Sequence, residues 1–422
     1  MIPQPDRIIA EYLIETPLEL ERAAEAMAGE QSTGTFIAVP GETEELHRRH
    51  GARVDSVTPL GDADKPSLAG AHVNSDAPVF HRGEVTLSFP LENVGTALPN
   101  LLATVAGNLF ELQQLSGIRL EDLGLPAEFA GAHPGPQFAV EGTRKLANVY
   151  GRPIIGTIIK PSVGLTPAQT ADLAGDLAMA GLDFIKDDEL MANSPHSPFD
   201  LRVRAVMNRL HRVADKTGRL AMYAANVTDE LDEMLRHVDA IAAACGTCVM
   251  VSVNAVGIAA LREVRKRSSL PIHAHRNGWG ALTRHPMLGY SYAVWQQLWR
   301  LAGADHLHVN GLRNKFWEPD ESVLRSARAV LTPQNGGPGI MPVFSSAQSA
   351  VQAADTYAAL GSTDLMYVCG GGIMAHPDGV AAGVASIRQS WDAAMRGVPV
   401  DDYATSHQEL QRALALFSKG QS

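Results

Sequence analysis

From Pro153 onward the chain alternates short apolar runs with longer helix-patterned stretches. The runs are PIIGTII (153–159), DFIKDDE (183–189), AMYAANV (221–227), CVMVSV (248–253), PIHAHR (271–276), HLHV (306–309), MPVFS (341–345) and LMYVCGG (365–371). Between them lie segments such as TPAQTADLAGDLAMAG (166–181) and SPFDLRVRAVMNRLHRVADKTG (197–218), whose apolar positions recur at helical spacing. Short buried strands joined by helical crossovers imply a parallel sheet. Eight of them in succession predict a closed (β/α)8 TIM barrel, with functional groups at the carboxyl ends of the strands.

The amino-terminal part has a different texture. RIIAEYLI (7–14) alternates like a strand, PLELERAAEAMAGE (17–30) has helical spacing, and TGTFIAV (33–39) and EVTLSFPL (84–91) read as strands again. A helical segment is expected around Leu98 to Leu115. The stretch from Leu123 to Gly142 is rich in Pro and Gly and marks the domain boundary. The expected organisation is an α/β protein: an α+β domain over 1–130, then a barrel over 131–422.

Composition narrows the function classes. At 422 residues and 45% apolar content the chain is large enough for two cores and too apolar for disorder. It has no uninterrupted apolar stretch of membrane-spanning length. Its opening lacks a basic segment followed by an apolar one, so no membrane association and a cytoplasmic location are expected. Three cysteines are too few for a disulfide framework. A net charge of −11 disfavours nucleic acid as a partner, so any anionic ligand must be met by particular Lys, Arg and backbone N–H groups.

The strand-terminal residues carry the candidate chemistry. The first barrel run ends in Lys160. The second ends in Lys186-Asp187-Asp188-Glu189, where strand alternation puts Lys186 and Asp188 on one face and the strand end lets Glu189 turn inward. Two carboxylates are hard oxygen ligands of the kind Mg²⁺ prefers, and a neutral Lys186 that captured CO2 as a carbamate would add a third. The bland alternative is a Lys–Asp salt bridge at a strand end. His273 and His275 form one H-x-H pair and His306 and His308 another. Imidazoles so placed bind a metal, orient an oxygen-rich substrate or move protons, while the deeper His273 and His306 suit a core role equally. Arg276 and Lys315 are cations near the rim. Ser345-Ser346 and Gly370-Gly371-Gly372 follow the last two strands, where barrels often hold phosphate. The C-x-x-C at Cys245–Cys248 falls at a helix-to-strand junction without redox context.

With these motifs in order, the chain resembles the ribulose-bisphosphate carboxylase/oxygenase (RuBisCO) superfamily over nearly its whole length. GTIIKP (156–161), GLDFIKDDE (181–189), His275-Arg276, DHLH (305–308), Lys315, Ser345 and Gly370-Gly371 carry the likeness, as do EQSTGT (30–35) and Gly107-Asn108. The resemblance implies a ferredoxin-like amino-terminal domain before the barrel. It also implies Mg²⁺ on carbamylated Lys186, Asp188 and Glu189, with Lys160, His275, Lys315 and Lys186 catalytic. Arg276, His308, Ser345, Gly370 and Gly371 would contact substrate oxygens and phosphate. Glu30, Thr35 and Asn108 would come from the partner subunit of a homodimer or a higher assembly of dimers. Departures surround the substrate: Ser162 replaces a second Lys, Phe36 a Trp, Asn314 to Pro319 replace the usual mobile-loop sequence, and Ser346-Ala347 a Gly pair. The pattern is that of the RuBisCO-like (form IV) branch, with no CO2 fixation. The implied reaction is C–C cleavage of 3-oxo-isoapionate 4-phosphate, by decarboxylation or by transcarboxylation and hydrolysis. The alternative within the branch is enolisation of a methionine-salvage diketo methylthio phosphate, against which Asn108 counts, since that group has a Lys there. A Zn-dependent barrel hydrolase and a non-catalytic relative are the competing classes. The motif order argues against the first and the intact metal set against the second.

Overall fold

The computed structural model describes residues 4–34, 39–71, 79–191 and 193–418. In chain order the strands among them are β1 (Arg7–Thr16), β2 (Arg53–Ala63), β3 (Phe80–Pro90), β4 (Gly117–Gly124), β5 (Ile154–Ile158), β6 (Phe184–Lys186), β7 (Met222–Asn226), β8 (Cys248–Ser252), β9 (Ile272–His275), β10 (Leu288–Tyr290), β11 (His306–His308), β12 (Met341–Phe344) and β13 (Met366–Val368). Two compact units result. One comprises Met1–Pro134 with Gly278–Leu301, and the other Gly135–Asn277 with Ala302–Ser422.

The first unit is built on a five-stranded sheet in the order β10-β4-β1-β3-β2. Its β4-β1-β3-β2 portion is antiparallel throughout, with Ile8 opposite Phe89 and Ile14 opposite Ile118. The helix Leu20–Glu30 buries Leu20, Ala23, Ala24, Met27 and Ala28, one apolar stripe at helical spacing. β1 sits centrally and its Tyr12 hydroxyl donates to the Val105 carbonyl at 2.6 Å, satisfying a buried polar group. β2 escaped the sequence reading because it is an edge strand with largely exposed side chains and no apolar alternation. The helix expected from Leu98 to Leu115 stops at Val105 and gives way to a 3-10 turn, Gly107–Glu111. Gly107 has φ of +40°, and a Cβ there would come within 2.3 Å of the Gln31 amide. The segment Gly278–Leu301 belongs to this unit because β10 adds parallel to β4 and Arg119 donates to Thr283 Oγ1 at 2.8 Å. The strand expected over 33–39 falls mainly on residues 35–38, outside the described residues.

The second unit is the predicted barrel. Its eight strands close in the order β5-β6-β7-β8-β9-β11-β12-β13, every neighbouring pair parallel. All eight apolar runs became its strands. Ile154, Phe184, Met222, Met250, Met341, Val343 and Met366 fill the interior with Ala147 and Val149 packed against them. Burial of side chains of this size contributes about 1.5–3 kcal/mol each, which is what closes the barrel. At Gly156 a Cβ would lie 2.8 Å from the Phe184 ring, so β5 yields there to the large residue of β6. At the amino-terminal end, buried Asp183 accepts from Arg152 (2.6 and 2.9 Å), Arg219 (2.6 Å), Arg388 (3.1 Å) and the Ile155 N–H (3.0 Å). No helix among the described residues is long and apolar enough to cross a membrane.

Candidate active site at the barrel rim

The site begins where β6 ends. Register places Lys186 between Ile158 of β5 and Ala224 of β7, with its side chain fully buried. Its Nζ donates to the Asp187 carbonyl at 2.7 Å and lies 3.7 Å from Glu189 Oε2. Burial holds the ammonium below the usual lysine range, although Glu189, Asp188 and Asp187 oppose the shift. A lysine disposed toward its neutral form is one that can add CO2.

The three acids after Lys186 take separate roles. Asp187 faces away from the lysine amine and is held by the Tyr223 hydroxyl, by the Asn226 N–H at 3.0 Å and by buried Arg202 at 3.4 Å. It is the acid that strand alternation had already set apart from Asp188, and these contacts give it a structural role. Asp188 Oδ2 accepts from Lys160 Nζ at 2.6 Å, and the same ammonium donates to Ser162 Oγ at 2.7 Å. Burial pushes the Asp188 carboxyl up, but Lys160, the Leu190 N–H and Ser162 outweigh it and keep it below the ordinary range. Glu189 is partly exposed and its Oε2 lies 3.5 Å from His275 Nε2. Among the described residues no three His, Cys, Asp or Glu side chains are grouped to hold a metal. Asp188 and Glu189 make a two-carboxylate set for a hard cation, and a carbamate on the adjacent Lys186 would complete it with oxygen.

The histidines form a buried chain through the barrel. His306 Nε2 is 2.9 Å from Thr143 Oγ1, His306 and His273 meet through Nδ1 atoms at 3.4 Å, and His273 and His308 through Nε2 atoms at 2.8 Å. His308 Nδ1 then lies 3.1 Å from Ser345 Oγ. Burial lowers the affinity of all of them for a proton, to about 3 for His306, so the chain is neutral at ordinary pH. His273 and His306 therefore occupy the core, while His275 reaches Glu189 and is hydrogen-bonded to Asn277 Oδ1 at 3.1 Å. Burial and the nearby Lys186 also push His275 below the usual imidazole range.

Arg276 is buried and ion-paired with buried Glu318, a partner that no sequence signal singled out. Ser345 is buried beside His308, and Gly370 and Gly371 follow β13 at more exposed positions. Lys315 stands on an exposed loop with its ammonium 5.2 Å from the Phe316 ring centre. In the other unit, Asn108 Nδ2 donates to Glu30 Oε1 at 3.1 Å, so two predicted residues far apart in the chain come together. Thr35 and Phe36 lie outside the described residues. Cys245 and Cys248 are free thiols, the latter buried.

A closed parallel barrel with a lysine, two carboxylates and a histidine at the carboxyl ends of its strands has the form of an enzyme barrel with a polar rim. The family models place it further. Residues 139–417 match the ribulose bisphosphate carboxylase large chain catalytic domain, and residues 1–129 match the N-terminal domain of the same large chain. The chain belongs to the ribulose bisphosphate carboxylase large-chain family, as a RuBisCO-like member. It is 53% identical over 414 residues to a 3-oxo-isoapionate-4-phosphate transcarboxylase/hydrolase of Xanthobacter autotrophicus, covering 98% of this chain and 99% of that one. It is 47% identical to a 3-oxo-isoapionate-4-phosphate decarboxylase of Rhizobium etli, covering 97% and 98%. A crystal structure of a rubisco-like protein from Burkholderia fungorum superposes with a TM-score of 0.91 at 46% identity, covering 97% of this chain and all of the other.

Proposed function

We propose that this protein cleaves a C–C bond of a phosphorylated β-keto sugar acid, 3-oxo-isoapionate 4-phosphate, by decarboxylation or by transcarboxylation and hydrolysis. The observation that carries the proposal is the convergence of Lys160, Lys186, Asp188, Glu189 and His275 on one rim, in a chain whose full-length relatives are named for that substrate. Lys186 as a carbamate, with Asp188 and Glu189, is the candidate holder of Mg²⁺. When bound, Mg²⁺ supplies Lewis-acid stabilisation of the oxyanion that develops as the bond breaks.

The chain's own groups supply the rest. Lys160, whose Nζ lies 2.6 Å from Asp188 Oδ2, is the group positioned to deliver a proton to the carbon left with the electron pair. His275 is disposed to be neutral and orients a substrate hydroxyl or accepts its proton. Lys315 pairs with the departing or migrating carboxylate from its loop. Arg276, His308, Ser345, Gly370 and Gly371 receive the phosphate and distal hydroxyls. Glu30, Thr35 and Asn108 act from the partner subunit of a cytoplasmic homodimer or larger homo-oligomer. Asn108, hydrogen-bonded to Glu30, does not favour the enolisation of a diketo methylthio phosphate.

The test is to incubate the Mg²⁺- and bicarbonate-treated enzyme with carboxyl-¹³C-labelled 3-oxo-isoapionate 4-phosphate and follow products by NMR. Label appearing as CO2 identifies decarboxylation, and label retained in a new carboxylate identifies transfer and hydrolysis. No turnover of this compound alongside turnover of the diketo methylthio phosphate would overturn the proposal.

A further inference from the structure

We infer that Glu318 determines which charge the rim accepts at its Arg276 end, making the site selective for substrates with one phosphoryl group over those with two. The inference rests on reading the rim as a sugar-phosphate site. Arg276 follows β9 directly and is 7% exposed, and Glu318 is 5% exposed. Their ion pair joins Glu318 Oε2 to the guanidinium. Oε2 also accepts from Asn310 Nδ2 at 2.7 Å, and Oε1 accepts from Ser322 Oγ at 2.9 Å. Three donors on one carboxylate fix it in place, since charge-assisted hydrogen bonds are the strong ones.

The same network reaches the other groups expected to meet an anion. Asn310 has a φ of +66°, and its carbonyl accepts from the Ser345 N–H at 3.2 Å while its Oδ1 accepts from Ser346 Oγ at 2.8 Å. Ser345 Oγ contacts His308, whose proton affinity is lowered by burial and by its neighbours His275 and His273. Arg276 is thus ion-paired with Glu318, and buried His308 brings no positive charge of its own to an incoming anion. A phosphate dianion arriving beside Arg276 would also meet the Glu318 carboxylate in a poorly solvated place, where like charges repel strongly. Hydroxyls and carbonyl oxygens suit these donors without that penalty. A single phosphoryl group is left for another part of the rim, where Gly371 is exposed and even an added Cβ would meet nothing within 4 Å.

The experiment measures equilibrium binding of ribulose 5-phosphate and ribulose 1,5-bisphosphate to the full-length, Mg²⁺- and bicarbonate-treated protein by calorimetry. Wild type should bind the bisphosphate no more tightly than the monophosphate. Glu318→Gln should raise bisphosphate affinity about tenfold or more and change monophosphate affinity less than about twofold, and the gain should vanish in R276M/E318Q. A Glu318→Gln protein that binds the bisphosphate no better than wild type overturns the inference, as does a gain that survives the double substitution. Should the variants not fold, wild type decides alone: a bisphosphate preference above about tenfold refutes it. Because these are binding ratios, absence of turnover on 3-oxo-isoapionate 4-phosphate would remove the proposed reaction and leave this result standing.

Discussion

Replacing Asp183 with Asn should weaken the barrel far more than a surface change, because one buried carboxylate joins four segments. Its oxygens accept from Arg152 before β5, the Ile155 N–H within β5, Arg219 before β7 and Arg388 of the helix Val380–Arg396. The Asp183 side chain is fully buried, whereas the three arginine side chains are 27–42% exposed. Breaking a fully buried ion pair costs about 3–5 kcal/mol. Water takes over part of the solvation of the exposed guanidiniums, so the expected cost lies at the low end, about 3 kcal/mol. For a unit of this size that corresponds to a fall in Tm of about 5 °C.

The pH dependence gives a second check on the same substitution. Burial pushes the Asp183 carboxyl up, but Arg152, Arg388 and the Ile155 N–H outweigh it and hold it below the usual carboxylate range. A depressed folded value means that the contribution is complete above the unfolded value, about 3.9, and is lost as pH falls through the folded one. The gap between wild type and Asp183→Asn should be the same at pH 7 and pH 5 and shrink only below about pH 4. Scanning calorimetry and urea titration at several pH values measure it. A gap under about 1 kcal/mol, or one that has closed by pH 5, would refute the reasoning.

Three further predictions concern the rim. Lys186→Met should abolish the ¹³C carbamate resonance formed from labelled bicarbonate and weaken Mn²⁺ binding, read by paramagnetic resonance, about a hundredfold through loss of one anionic oxygen donor; unchanged Mn²⁺ affinity would remove the carbamate from the site. In wild type the carbamate signal at constant dissolved CO2 should grow as pH rises, because CO2 adds to the neutral amine, which burial favours, and its addition releases a proton; a signal that falls with rising pH contradicts this. Lys160→Met should lower kcat by about 10²–10⁴ with a smaller change in KM, as expected for a lost proton donor. Equal losses in binding and turnover would instead make Lys160 a substrate-holding residue.

The barrel was legible in the chain because its strands are buried and read as short, mainly apolar runs from PIIGTII to LMYVCGG, broken chiefly by the histidines of β9 and β11. The rim residues were legible for the same reason: a polar residue that ends such a run, as Lys186 and His275 do, stands out against it. β2 and the early end of the helix after Leu98 were not. One is an exposed edge strand without alternation, and the other stops where the Gly107 backbone packs against Gln31, 76 positions earlier. Strand alternation set Asp187 apart from Asp188, but only the tertiary structure showed what holds each, Tyr223 and Arg202 the one and Lys160 the other. It alone paired Arg276 with Glu318 and placed β10 beside β4. Apolar periodicity is a local property that burial imprints on consecutive residues, so the chain itself carries the fold class and the rim. The partner of each buried charge is a long-range choice made by whichever opposite group the closed barrel brings within reach, and no spacing along the chain encodes it.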